Sequence, residues 1–198
     1  MIRTIIQKQY WRILQLFYTN HNSLLHLRDI SRKINLRESA TSRHLQALEK
    51  TNILKSHKEA NLKRYCIKKQ ALPEIFTLFD VEKLEALPLL RKNAIKEYLK
   101  ALKNKPILMI VFGSTAKGNY KEDSDIDIIE IFTTKTNTKD AKNHAESLTG
   151  ISIQTFQIIE ANFYKELKMK EDMVIQSGIN TGFPVFNNKY FYELMYNE

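Results

Sequence analysis

The chain holds a single cysteine, Cys66, among 198 residues. A disulfide framework within it is excluded, and one free thiol suits a reducing cytoplasm. Cys66 sits in an apolar–polar alternation, the setting of a packing residue rather than a nucleophile. The five histidines, His21, His26, His44, His57 and His144, lack the spacing of metal ligands. No apolar run approaches the roughly 18 residues of a membrane span, and the N-terminus lacks the apolar core of a secretion signal. There is no internal repeat and no low-complexity segment. The expectation is a soluble, cytoplasmic protein with no membrane partner.

At 43% hydrophobic and 27% charged residues the composition is that of a folded chain, long enough for one large domain or two small ones. The net charge of +9 is unevenly spread. Residues 1–70 carry 15 Lys and Arg against 4 Asp and Glu, or +11, whereas residues 71–198 carry 16 against 18, or −2. The basic excess therefore belongs to the first third, which points to nucleic acid contacted by that part alone.

The most informative stretch is VFGSTAKGNYKEDSDIDIIEI, residues 111–131. Gly113-Ser114 is followed by ten residues and then Asp125-Ile126-Asp127. Apolar, β-branched runs flank it, 107–112 before and 126–132 after, and read as buried strands. Alternation along the second strand turns Asp125 and Asp127 to one face and Ile126 and Ile128 to the other. Paired carboxylates repel unless a cation lies between them, and Mg²⁺ favours one or two carboxylates completed by substrate phosphates. Gly113-Ser114, opening a short helix, offers amide N–H groups and a hydroxyl to an anion. An acidic turn on a solvated strand is the plainer reading, but Ile126, Ile128, Ile129 and Ile131 speak against it.

This stretch resembles the minimal nucleotidyltransferases of the nucleotidyltransferase superfamily, whose pattern is Gly-Ser, about ten residues, then Asp-x-Asp. The resemblance implies that Gly113, Ser114, Lys117 and Ser124 meet the phosphates of a nucleoside triphosphate. It also implies that Asp125 and Asp127 hold Mg²⁺ and are the catalytic carboxylates. The family places a third carboxylate on a neighbouring strand. Here that strand is ISIQTFQII, with Gln154 at the expected position, or Gln157 in another register. Glutamine is no general base and a poor ligand for a second Mg²⁺. Neither Glu130, on the opposite face from the Asp pair, nor Glu160, at the strand end, replaces it.

In the basic third, helices are expected over residues 4–18, 27–34 and 38–50, with turn formers at 20–23 and then a β-hairpin turning near 59–62. Ala40, His44, Ala47 and Leu48, with Leu45 nearby, are taken as the inward side of the third helix. The sequence LRDISRKINLRESATSRHLQALEKTNILKS resembles the winged helix-turn-helix domains of prokaryotic regulators, which set the third helix in the major groove of double-stranded DNA. By position, Arg37, Ser39, Thr41, Ser42, Arg43 and Gln46 would meet bases or nearby phosphates. Lys55, His57, Lys58, Lys63 and Arg64 on the wing would meet the backbone. A protein-docking role is the other reading of such a domain.

Residues 71–88 read as a linker with a connecting helix, its apolar stripe suited to core packing or to pairing in a homodimer. Beyond it come a helix over 89–102 facing inward through Leu90, Ala94, Tyr98 and Leu102, a helix over 138–148 stopped by Gly150, the strand 151–159 and a helix over 160–169. A helical turn over 173–177 is closed by Gly178. The aromatic tail, with Phe183, Phe186, Tyr190, Phe191, Tyr192 and Tyr196, is read as core and lid packing, or as a base-stacking surface.

The fold expected is α+β: a winged helix-turn-helix (1–70), a linker (71–88) and a small nucleotidyltransferase-like α/β domain with a short mixed sheet (89–198). The function expected is a DNA-binding protein that binds a Mg²⁺–nucleoside triphosphate and transfers its nucleotidyl group to an acceptor, which for this family includes a protein such as a partner toxin. The alternative is a transcription regulator whose transferase fold, lacking the third carboxylate, senses nucleotide or is structural only.

Overall fold

A computed structural model describes residues 7–20, 24–59 and 62–196. The expected helix residues 4–6, turn residues 21–23 and the hairpin tip at 60–61 lie outside the described residues. Two compact units are formed, one gathering the chain up to Phe79 with the chain from Tyr192 onward, the other comprising Asp80–Phe191.

The first unit is a winged helix. α1 (Lys8–Thr19) turns Trp11, Ile13, Leu14 and Phe17 inward, and α2 (Leu27–Lys33) contributes Ile30. α2 stops where Asn35 takes a left-handed conformation (φ 49°), which an asparagine tolerates better than most residues. α3 (Glu38–Lys50) follows at once and buries Thr41, Leu45 and Leu48. That stripe is rotated from the expected one: Ala40, His44 and Ala47 are only half-buried. Asn52 (φ 61°) ends α3 in the same left-handed way. The wing then forms from β2 (Leu54–Glu59) and β3 (Leu62–Ile67), antiparallel, with the short β1 (Leu25–His26) on the other side of β3. β1, two residues long, carries no legible period. The first half of α4 (Leu72–Glu85) joins this core through rings: Phe79 lies 4.3 Å from Trp11 and 5.1 Å from Tyr18, and Phe76 lies 5.3 Å from Tyr192.

The second unit is built on a four-stranded mixed sheet, with β6 (Ile153–Ile159), β5 (Ile126–Phe132), β4 (Leu108–Phe112) and β7 (Phe183–Phe186) side by side in that order. β4 is antiparallel to β5 and to β7, while β5 is parallel to β6. On one face Val111, Ile126, Ile128 and Ile153 pack with Ala94, Ile95 and Tyr98 of α5 (Leu89–Ala101) and with Ala141 and Ala145 of α7 (Lys139–Thr149). The inward side of α5 is Arg91, Ala94, Ile95 and Tyr98, and the expected Leu90 is exposed. A charged side chain has displaced an apolar one from the buried stripe.

The short α6 (Gly113–Lys117) links β4 to the loop before β5, and α8 (Glu160–Met169) follows β6. The other face of the sheet meets α9 (Met173–Thr181), which runs through Gly178 instead of closing there. A Cβ on Gly178 would come within 2.1 Å of Ile129 Cδ1, so this glycine serves close helix–sheet approach and not helix termination. The aromatic tail resolves into β7 and α10 (Asn188–Tyr196), with Phe183, Phe191 and Tyr192 buried as core.

Candidate nucleotide site and nucleic-acid face

β4 delivers the chain to Gly113, where φ is +66° and α6 begins. A Cβ at this point would lie 2.2 Å from Asp127 Oδ2 and 3.1 Å from its Cγ. The glycine backbone and the carboxylate are thus in direct contact, and both the dihedral and the approach require glycine. The register explains why they meet: Phe112 is opposite Asp127 on β5, and Asp127 is beside Gln154 on β6. Adjacent partners in a ladder project to the same face, so Asp127 and Gln154 share one surface.

Asp125 is exposed just ahead of β5, and Asp127 is half-buried. Burial first, and then the charge of Asp125, push the Asp127 carboxyl above its usual range. Two carboxylates that oppose each other's ionisation fit a cation between them. Among the described residues no group of three or more His, Cys, Asp or Glu side chains gathers to hold a metal. Two carboxylates are the number Mg²⁺ takes when phosphate and water oxygens complete its shell.

Among the described residues no third carboxylate joins the pair as a ligand group. Gln154 is exposed and holds the position beside Asp127. Gln157 pairs with Glu130 three residues further on, and its amide bonds the backbone of Thr136 in both directions (2.8 and 2.9 Å). Glu130 is fully buried on the face away from Asp127, where it accepts a hydrogen bond from the Tyr98 hydroxyl. Glu160 starts α8 at the far end of β6, beside Tyr164 and Tyr190.

The loop between α6 and β5 is held by several bonds. The Ser114 carbonyl accepts the Asn119 N–H at 3.2 Å, and Gly118 (φ +74°) ends α6. Ser124 Oγ accepts the Lys121 N–H at 2.8 Å, so this hydroxyl braces the loop it belongs to. Lys117 is exposed in the last turn of α6. Sequence reasoning missed Arg91 of α5, 3% exposed. Its Nη1 donates to Thr115 Oγ1 at 3.1 Å, and its Nη2 to the carbonyls of Lys121 at 2.9 Å and Ser124 at 2.6 Å. The Tyr120 ring covers the guanidinium at 4.2 Å. The only signal of this was a cation on a helix otherwise facing a core.

In the first unit, Arg37, Ser39, Arg43 and Gln46 are exposed on or just before α3, and Ser42 is half-buried. Thr41 is not on that surface. It is fully buried, with its hydroxyl donating to the Arg37 carbonyl at 3.1 Å, because it lies one and two turns before Leu45 and Leu48 on the inward stripe. On the wing, Lys55, His57 and Lys58 are exposed. Lys63 is paired with Glu49 at 2.7 Å and Arg64 with Glu59 at 2.6 Å, so both basic groups already have acidic partners. Arg28, Arg32, Gln46 and Lys63, together with Asp29 and Glu38, line a concavity of about 640 Å³ between α2, α3 and the wing. Among the described residues no helix is long and apolar enough to cross a membrane. Burial raises the pKa of the Cys66 thiol, which lowers its reactivity.

The second unit, a mixed sheet with the Gly-Ser turn at the end of one strand against the Asp of the next, has a nucleotidyltransferase fold. In keeping with this, residues 93–180 match the family model described as Polymerase beta, Nucleotidyltransferase. No curated protein matches the chain. Among solved structures, AF1382 from Archaeoglobus fulgidus is 12% identical with a TM-score of 0.40, covering 44% of this chain and 98% of that one. A Staphylococcus aureus MepR F27L mutant bound to an oligodeoxyribonucleotide is 19% identical, TM-score 0.36, covering 50% and 78%. A toxin–antitoxin structure with AMP-PNP is 18% identical, TM-score 0.40, covering 53% and 80%. At these scores the likenesses carry no functional argument.

Proposed function

We propose that the protein is a DNA-binding regulator whose second unit binds a Mg²⁺–nucleoside triphosphate, and that nucleotide occupancy is linked to DNA affinity. The observation that carries the reading is the contact of Asp127 with the Gly113 backbone, with Asp125 two residues away and Gln154 alongside. Asp125 and Asp127 would hold Mg²⁺, and the backbone of Gly113 and Ser114 would lie against the phosphates. The ion, when bound, supplies positive charge to the phosphate oxygens. This chain's own residues do the rest: they orient the triphosphate and keep Asp125 and Asp127 at a fixed distance from the loop. On the β6 side of Asp127 no carboxylate stands to take a proton from an acceptor hydroxyl, because Gln154 is an amide. Binding without efficient turnover follows.

DNA contact is proposed for α3 and the wing, through Arg37, Ser39, Ser42, Arg43, Gln46, Lys55 and Lys58, supported by the exposure of all but the half-buried Ser42 and by the basic excess of the first third. A second reading, nucleotidyl transfer to an unknown acceptor, is favoured by the intact Asp125–Asp127 pair.

The test is calorimetric titration with Mg²⁺ and each nucleoside triphosphate, on wild type and on Asp125→Asn/Asp127→Asn, followed by titration of sheared double-stranded DNA with and without nucleotide. Metal-dependent binding lost in the double variant is expected. So is a DNA affinity that falls steeply with salt and changes with nucleotide, since linkage between two ligands is reciprocal. No nucleotide binding by wild type at millimolar concentration would sink the reading. Labelled nucleotide transferred onto a co-purified macromolecule by wild type would favour the second reading instead.

A further inference from the structure

We infer that Arg91 is a positioning residue for the nucleotide site, setting the gap between the Gly113-Ser114 turn and Asp125 without touching either. The inference rests on the reading that Asp125 and Asp127 hold the Mg²⁺–nucleotide. Arg91 is 3% exposed on α5, inside the second unit. Its interactions are with Thr115 Oγ1, the Lys121 and Ser124 carbonyls and the Tyr120 ring. All four partners are neutral. A guanidinium taken out of water with no carboxylate beside it is costly, and an apolar side chain at this point on α5 would pack at no such cost. What only the charged fork supplies is simultaneous hydrogen bonding to two separated pieces of chain.

Those two pieces are the halves of the site. Thr115 follows Ser114 in α6. The Ser124 carbonyl belongs to the peptide unit that leads directly into Asp125. The loop between them, Gly118–Asp125, has no helix or strand, and its other bonds are local: Lys121 with Ser124, and Gly118 and Asn119 with the carbonyls of α6. Among the described residues Arg91 alone reaches into this loop from another element, and Tyr120 folds back over its guanidinium. Removing the fork leaves the strand residue Asp127 fixed by the sheet and frees Asp125 relative to it. A two-carboxylate site tolerates that badly, because both oxygens must meet one ion at once.

The experiment uses the full chain with Arg91→Lys and Arg91→Met. Lysine keeps the charge and loses the fork, and methionine keeps the bulk and loses both. Mg²⁺–ATP is titrated calorimetrically, and backbone hydrogen exchange is followed by mass spectrometry in peptides spanning residues 118–125 without nucleotide. About tenfold or greater weakening of Mg²⁺–ATP binding is expected for both variants, with faster exchange confined to 118–125 and an unchanged far-UV spectrum. In Arg91→Ala, millimolar guanidinium should restore slow exchange and part of the affinity, a rescue that a merely space-filling role would not show. If the variants fail to fold, Thr115→Val and Tyr120→Leu, each removing one contact, should give smaller losses of the same kind. Folded variants that bind Mg²⁺–ATP as tightly as wild type overturn the inference. Wild type that binds no nucleotide overturns the reading of the site and this role with it, and that failure is recognised because exchange at 118–125 still answers to Arg91.

Discussion

Glu130 offers the sharpest test of the energetics of the second unit. It is 0% exposed on β5, one oxygen accepts the Tyr98 hydroxyl, and the other has no hydrogen-bond partner. Its cross-strand neighbour Gln157 is committed to the Thr136 backbone. Burial raises the Glu130 carboxyl above its ordinary 4.5, and the Tyr98 hydroxyl and the nearby Gln157 amide only partly oppose this. Tyr98, itself raised by burial, stays protonated and donates. A folded value above the unfolded one means that the folded state prefers the proton. Stability is therefore complete below about pH 4.5, declines as pH rises, and levels off only above the folded value.

Glu130→Gln keeps an acceptor for Tyr98 and removes the charge. An unsatisfied buried neutral group costs about 1–3 kcal/mol and a charged one more, so the exchange should stabilise by about 2 kcal/mol near pH 7.5. The advantage should shrink with falling pH, by at most about 1.4 kcal/mol per unit for one proton, and vanish near pH 4.5. Urea midpoints by far-UV circular dichroism at a series of pH values measure this. Trp11 lies in the other unit, so indole fluorescence would report the wrong transition. Parallel pH–stability curves for the two proteins would refute the reasoning.

Three further outcomes are expected. Gly113→Ala places a methyl against Asp127 and strains a left-handed residue by about 1–2 kcal/mol; calorimetry should find Mg²⁺–nucleotide binding at least about tenfold weaker, and unchanged affinity would show the carboxylate is free to move. Asp172 caps α9 by accepting the N–H groups of Val174 at 2.8 Å and Ile175 at 3.1 Å, so Asp172→Ala should lower stability by about 1 kcal/mol in urea unfolding. Cys66, its thiol raised by burial, should react with an aromatic disulfide reagent at neutral pH far more slowly than in the urea-unfolded chain; equal rates would contradict its burial.

Where a side chain's neighbours lie close in the chain, the sequence was a good guide. The Gly-Ser turn, strand β5 and the helices α5 and α7 follow from local period and from residues such as Gly150, whose φ of 69° ends α7. Of the two glutamines that the sequence offered beside Asp127, Gln154 and Gln157, the parallel register selects Gln154. What escaped was set by packing. Gly178 looks like a helix stop, yet its missing side chain makes room for Ile129. Thr41 looks like a groove residue, but its hydroxyl is spent on the Arg37 carbonyl and its methyl side lies in the core. Arg91 looks like solvated surface, since nothing in its own helix says that three acceptors await it 24 to 33 residues later. β7, four residues with a proline, offers too short a run to declare a strand until β4 is there to pair with it.

The neighbour of Asp127 has a consequence at the level of the gene. Every glutamine codon becomes a glutamate codon by changing its first base alone. The backbone at Gln154 already presents a side chain of the required length on the required face, next to the carboxylate it would join. No strand would have to shift and no loop be rebuilt for a third acidic group to appear there. A third carboxylate beside Asp127 is, in this chain, a single point mutation away.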